Sequence, residues 1–333
     1  MSAADFASFS NNAVTFAGVV YALAFLAHVA EWAFGRSVPA DTFERTSVPV
    51  GAGAPALEEH PAPGDSDTSD TEGSDGDRAL NVEKFGRIGI SLTVLAGALH
   101  LAGLVTRGLA SDPMRVPWSN MYEFTVAGSA GVTLIYLALL RRYHLGWLGP
   151  VVTGFQIVIL MLAGLVLYEP VGPLIPALQS YWLVVHVIAA IIATGAFTLG
   201  GMASLLFLVK NRVESRGEVR GSGYIARLPK SSVLDRVAYR MHAFGFPIWT
   251  FAALIAGPIW AEYAWGRYWG WDPKEIWAFI TWVVYAAYLH ARATAGWKGK
   301  AAAIIALIGL ATLLFNFVGI NFFFGSTSQH SYA

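Results

Sequence analysis

Apolar stretches long enough to cross a bilayer recur along the chain, at about residues 14–34, 86–106, 120–140, 147–168, 181–209, 244–262, 274–292 and 301–324. A helix rises 1.5 Å per residue, so about twenty residues span a hydrocarbon core of roughly 30 Å. Each run therefore predicts one membrane helix, and the set predicts an all-α polytopic membrane protein with eight transmembrane helices. The first run lacks a basic leader and a small-residue cleavage signal, which predicts a retained span over 1–36. Residues 37–85 interrupt the pattern: Pro, Gly and Ser dominate and ten acidic residues fall between Asp41 and Asp77, a composition too polar to bury a core, so a disordered acidic cytoplasmic loop is expected there. The remaining seven helices, 86–333, form one unit. Glycines within its spans, such as Gly195, Gly200 and Gly201, predict close helix packing.

Composition agrees with this reading. Of 333 residues, 55% are hydrophobic and only 13% charged, too few polar groups for a soluble domain of this size. The net charge is zero, which gives no reason to expect a nucleic-acid partner. The chain has no cysteine, so thiol chemistry would have to come from another molecule. Charge also sets orientation: loops 35–87, 141–146, 210–243 and 291–300 hold 18 of the 22 basic residues and are expected in the cytoplasm. Both termini and the loops 107–119 and 169–180 then face outward.

On the same outer side falls WAEYAWGRYWGWDPKEIW, Trp260 to Trp277, with five of the twelve tryptophans. Asp272-Pro273-Lys274-Glu275 reads as a helix start, with an acceptor at the N-cap, proline at the first helical position and glutamate reaching back. The segment is an aromatic platform where two membrane helices meet water. Ionisable groups are costly within a bilayer, so depth sorts the histidines. His60 falls in the acidic loop, and His144 and His242 at cytoplasmic ends, where a solvated side chain is expected. His186 lies six residues into a run of about 29 residues, roughly 43 Å as a helix, so its first turns stand outside the core. His330 follows the last span on the same side. His290 lies roughly 26 Å down the helix that begins at Pro273, in the cytoplasmic half, where a buried histidine needs a partner. His28 reaches a comparable depth and is expected to pair with Glu31 rather than with His290; His100 stays undecided.

Two imidazoles beside a tryptophan surface suggest a bound haem, with axial nitrogen ligands, indole cover for the porphyrin, and Arg267 or Lys274 for the propionates. A bare zinc ion fits less well, because it would want three or four ligands. An aromatic interface belt with two incidental histidines is the competing reading.

WGRYWGWDPKEIW resembles the WWD signature of haem-handling proteins of cytochrome c maturation, specifically the CcsA (ResC, CcsB-type) family. The likeness extends through PWSNMYEF at 117–124, SYWLVVHV at 180–187, LDRVAYRMHAFGFP at 234–247, YLH ending at His290, and QHSY at 329–332. It implies that His186 and His330 ligate haem b, carried as cargo, on a platform that includes Trp265, Tyr268, Trp269, Trp271 and Asp272. It also implies that His290 belongs to an inner haem site completed by a ResB-type membrane subunit. The substrate would be apocytochrome c, whose CXXCH thiols receive the haem, so the chain would be one component of a haem lyase complex in the cell membrane. The sequence departs from the family around STSQHSYA, and the acidic loop lies outside the likeness. The alternatives are a b-type haem electron-transfer subunit, a CcmC- or CcmF-type haem-handling protein, or a solute transporter.

Overall fold

The computed structural model describes residues 1–35, 69–172, 178–217, 223–294, 296–325 and 328–330. Among them every regular element is helical. In chain order these are α1 (Ala3–Phe34), α2 (Ser69–Leu109), α3 (Met121–Leu140), a 3₁₀ turn (Leu145–Leu148) leading into α4 (Gly149–Leu165), α5 (Tyr181–Ser215), the short α6 (Tyr224–Arg227), and α7 (Ser231–Phe251). A π turn (Ala252–Ala256) then joins α7 to α8 (Gly257–Trp265), followed by α9 (Pro273–Thr294) and α10 (Lys300–Leu314), which continues through a second π turn (Phe315–Gly319) into α11 (Ile320–Phe323).

Seven of these segments are long and apolar enough to cross a membrane: Ala3–Phe34, Ala79–Leu109, Met121–Leu140, Leu145–Leu165, Tyr181–Ser215, Ser231–Trp265 and Lys300–Phe323. The expected eighth, α9, is present as a helix of 22 residues, but it opens on Lys274 and Glu275 and is rich in Trp and Tyr, which dilutes its hydropathy. Its membrane crossing is therefore a proposal taken up below.

Two boundaries differ from expectation. The second span begins well before residue 86, because α2 is helical from Ser69. Acidic residues suit the positive end of a helix, and Val82 is buried while Phe85 stacks on Phe34 at 5.2 Å. The rest of the expected loop, 37–68, lies outside the described residues. Likewise the span expected from 244 begins at Ser231. Its first turns are amphipathic, with Leu234, Val237, Ala238 and Met241 buried and Asp235 paired with Arg292 at 2.7 Å. Charges on the outer face of those turns hid a helix whose inner face is apolar.

Four apolar clusters tie the bundle together. The largest joins α3, α4, α5 and α7 around Tyr136, Leu148, Phe207 and Leu234. A second unites α5 with α7, α9 and α10 around Phe197 and Tyr285, whose rings stack at 3.8 Å. A third packs α1 against α2 through Tyr21. The fourth, built on Trp118, Leu183, Val187 and Trp260, supports the aromatic platform.

Candidate functional site

The site is assembled from three separated pieces of chain: the first turns of α5, the π turn with the tryptophan-rich segment after it, and the segment ending at His330. Ser180 caps α5 and accepts from the Trp182 amide at 3.2 Å, so His186 enters in the second turn. Its Nδ1 lies 2.9 Å from the Ala252 carbonyl. A carbonyl only accepts, so Nδ1 carries the proton and the neutral ring keeps its lone pair on Nε2.

The π turn supplies that carbonyl. Pro258 has no amide proton for the carbonyl one turn back, and the chain answers with a wider turn in which Gly257 N–H reaches Ala252 O. Gly257 lets the two come this close, since a Cβ at that position would sit 3.1 Å from the Ala252 carbonyl oxygen and 3.2 Å from His186 Nδ1 and would press the ring aside by a few tenths of an ångström. Trp260 stacks on the His186 ring, with centroids 5.8 Å apart and planes 18° from parallel.

His330 meets the same tryptophan from another direction. Its ring lies edge-on to Trp260 at 5.4 Å and to Trp265 at 4.4 Å. Its Nδ1 is 3.0 Å from Asp272 Oδ1; a carboxylate accepts, so this histidine too is held with Nε2 available. Asp272 is the organiser. It is 6% exposed and accepts from Ser328 Oγ at 2.8 Å, from the Gln329 amide at 2.7 Å and from the Lys274 amide at 3.0 Å. Burial works against its ionisation, but hydrogen bonds from His330, Ser328 and Gln329 outweigh that and bring its carboxyl down to about 2.

The same residue caps α9. The Asp272 amide donates to Glu275 Oε2 at 3.1 Å, so the helix start carries the reciprocal bond its sequence foretold. Lys274 Nζ donates to the His330 carbonyl at 2.7 Å, and Arg267 donates to Gln329 Oε1. Both cations that the sequence offered to propionates thus strap the C-terminal segment in place.

The platform's outer surface is formed by Tyr268, 60% exposed, and Trp271, 67% exposed. Trp269 stands perpendicular to Trp271 at 5.8 Å. Trp271 has φ 57°, the left-handed region that bulky side chains avoid. That backbone holds a largely exposed indole at the platform's surface, a conformation that its own burial does little to offset.

The other histidines sort differently from one another. His290 is exposed on α9 rather than buried. His28 is 1% exposed and faces Glu31 at 3.3 Å, enclosed by Gly89 and Gly149, where a Cβ would come within 2.7 Å and 2.6 Å of its ring. The reading of a local pair with Glu31 holds, and a pairing with His290 does not. His100 is buried and donates through Nε2 to the Val126 carbonyl at 2.9 Å. His144 is exposed as expected. His242 is not solvated but fully buried, with Tyr285 and Tyr288 each at 5.3 Å. The early start of α7 puts it in mid-helix instead of at an end.

Sequence reasoning missed one polar assembly near this surface. Glu123 is buried and accepts from Arg107 Nε at 2.9 Å and from an Arg115 terminal nitrogen at 2.8 Å. The only sequence signal was that these two arginines are among the four basic residues outside the four loops that hold the other eighteen.

Two imidazoles on one tryptophan, each with Nδ1 committed and Nε2 available, suit an iron whose other four positions are already filled by a macrocycle. Among the described residues, no group of three or more His, Cys, Asp or Glu forms a cage for a bare ion.

Comparison with known proteins gives a consistent picture. Residues 118–326 match the family model described as cytochrome C assembly protein. A cytochrome c biogenesis protein CcsA from Prochlorococcus marinus is 37% identical over an alignment covering 72% of this chain and 82% of the relative. The CcsA protein of Guillardia theta is 34% identical, covering 74% of this chain and 85% of the relative. Among solved structures, cytochrome c haem lyase CcmF superposes with a TM-score of 0.58 at 16% identity, over 96% of this chain and 47% of that one. This chain thus spans about half the length of that structure, which it resembles in fold.

Proposed function

The chain belongs to the CcsA family of cytochrome c assembly proteins, and from that premise we propose that His186 and His330 hold haem b at the outer face of the cell membrane for attachment to apocytochrome c. A role in cytochrome c biogenesis and haem handling, in a multi-pass membrane protein, follows from the family itself. The observation that carries the finer reading is the matched preparation of the two histidines. Each donates Nδ1–H to a fixed acceptor, Ala252 O or Asp272, and so keeps Nε2 free as a neutral ligand.

In this reading Trp260 and Trp265 set the two rings, Trp269, Trp271 and Tyr268 offer aromatic faces to the porphyrin, and Asp272 with Lys274 and Arg267 keeps the His330 segment in register. Positioning is the main contribution of the protein. The thiols come from the CXXCH substrate, which is compatible with a chain that has no cysteine, and each S–H adds across a haem vinyl group without net oxidation. His290, exposed on α9, is one half of an inner haem site whose other ligand is supplied by a ResB-type subunit. α9 is the eighth span, both termini face outward, and the tryptophan-rich segment is extracytoplasmic.

The test is spectroscopic and topological. Purified protein should contain haem with the absorption of iron held by two imidazoles, and His186→Ala and His330→Ala should abolish that spectrum. Reporter fusions after residues 144, 225 and 297 should report cytoplasm, and those near 112 and 268 the outside. Unchanged spectra in both variants, or an outward 210–243 loop, would end the model.

A further inference from the structure

Beside the platform lies a half-open cavity of about 240 Å³, lined by Arg115, Trp118, Leu178, Ser180, Leu183 and Val184. Trp118, Leu178 and Leu183 belong to the same packed cluster as Trp260, with Trp265 against it. Leu183 is also three residues before His186, on the same face of α5 and about one turn further out. The cavity therefore adjoins the ring that we assign to the iron.

Its walls are apolar and its field is positive. Arg107, Arg115 and Glu123 have side chains 3%, 7% and 0% exposed, so two guanidinium groups share one carboxylate. Their other recorded partners, the carbonyls of Glu169, Gly172 and Val116 and the hydroxyl of Ser119, carry no charge. The buried Nε–H of Arg115 meets no acceptor. The amino end of the 35-residue α5, at Ser180, adds the positive pole of a helix. A cation that shares its one carboxylate with a second guanidinium and lines an apolar hollow, with a buried donor still unpaired behind it, suits an anion carried on an apolar body.

We propose that this cavity receives a propionate of the haem, with Arg115 as the positioning residue that binds it. The proposal rests on the haem reading above. It gives the propionates a buried receptor besides Arg267 and Lys274, each of which already donates to the C-terminal segment. It also orients the porphyrin: with the propionate edge drawn towards Arg115, the opposite edge, which carries the vinyl groups, faces the incoming thiols.

The full chain in phosphatidylcholine nanodiscs is titrated with haem and with haem whose propionates are methyl esters, reading the spectrum of iron held by two imidazoles. Wild type should prefer haem over the ester by about tenfold, as for loss of one charge-assisted hydrogen bond. Arg115→Met should bring haem down to the level of the ester, and Arg115→Lys should restore part of the preference. Val184→Phe, which fills the cavity while leaving the Arg107, Glu123 and Arg115 side chains themselves unaltered, should also erase the preference, and it decides the matter if Arg115→Met fails to fold. Equal affinity for haem and ester in wild type, or a preference that survives in Val184→Phe, overturns the subsite while leaving the histidine ligation intact. So does a wild type that prefers neither porphyrin yet releases both when phosphatidylglycerol is added, which would assign the cavity to a lipid phosphate. If no variant and no wild type shows the two-imidazole spectrum, the haem reading fails together with the subsite.

Discussion

His330 is locked to Asp272, packed edge-on to two tryptophans and tied down through its own carbonyl by Lys274. His290 stands exposed on α9, and among the described residues no hydrogen bond from its ring is recorded. One histidine has its tautomer and direction set before any ligand arrives, and the other has neither. An imidazole without a fixed second-sphere partner makes a poor ligand by itself, since the orienting bond is commonly what selects the ligating nitrogen. If the proposed ligation holds, the outer site would be complete within this chain, whereas an inner site at His290 would be a half-site whose geometry comes from the surface that covers α9.

The largest effect should come from removing an outer ligand. His186→Ala or His330→Ala should lower cytochrome c output by more than about 100-fold, beyond what loss of an outer-shell partner causes. Added imidazole should restore part of it, because the vacated position adjoins water. Output would be followed as covalently bound haem, and normal output in both variants would place the iron elsewhere.

Asp272→Ala should come next. It leaves both imidazoles in place but frees Ser328, Gln329 and His330 together, so haem affinity should fall by about 10- to 100-fold while the spectrum of the haem that does bind keeps its form. Asp272→Asn is the finer probe: an amide can still accept from Nδ1–H, but without the charge that holds the network. Affinity equal to wild type in the alanine variant would show that the C-terminal segment stays docked through Lys274 and Arg267 alone.

How much of this was legible in the sequence follows from the range of each interaction. The start of α9 was readable because its cap is local, with Asp272, Pro273 and Glu275 signalling one another within one turn. The burial of His28 beside Glu31 was readable for the same reason. What pairs with Asp272 was not, since Ser328 and Gln329 come back from 56 and 57 residues away, and no local pattern announces a contact closed by the whole bundle. His242 was misread through a boundary error. Arg236 and Arg240 lowered the hydropathy of 231–243, although Val237, Ala238 and Met241 on the other face are buried. The shared Glu123 was invisible because a lone carboxylate at a span's edge reads as solvated until Arg107 and Arg115 are folded over it. The resemblance to the family supplied the roles of the histidines, which spacing by itself left open against an interface belt.

The comparison of the two ends sharpens with His290→Ala. In the isolated chain this change should leave haem binding at His186 and His330 within about twofold of wild type, as for distant sites with no shared partner. In cells that also make the ResB-type subunit, it should lower haem loading and cytochrome output, with poor rescue by imidazole once the partner covers the position. An altered outer spectrum in the isolated chain would show that the two sites are coupled within this protein and that the half-site description is wrong.

The smallest effect separates presentation from packing. Trp271 holds φ 57° and is 67% exposed, so its backbone is strained by roughly 1–2 kcal/mol while its ring contributes little burial. Trp271→Gly removes that strain but adds backbone freedom to the unfolded chain, a cost of about 0.5–1 kcal/mol. The two terms nearly offset, and thermal stability of the haem-free protein should change by no more than about 1 kcal/mol. Haem affinity should nevertheless fall several-fold, because an aromatic face of the platform is gone. Trp271→Asn, which tolerates the left-handed region yet offers no ring, should behave like the glycine variant. If either change instead destabilised the haem-free protein by much more than about 1 kcal/mol, Trp271 would be a packing residue. The outer end would then owe its readiness to the Asp272 network and the buried Trp260, without a strained surface tryptophan to receive the porphyrin.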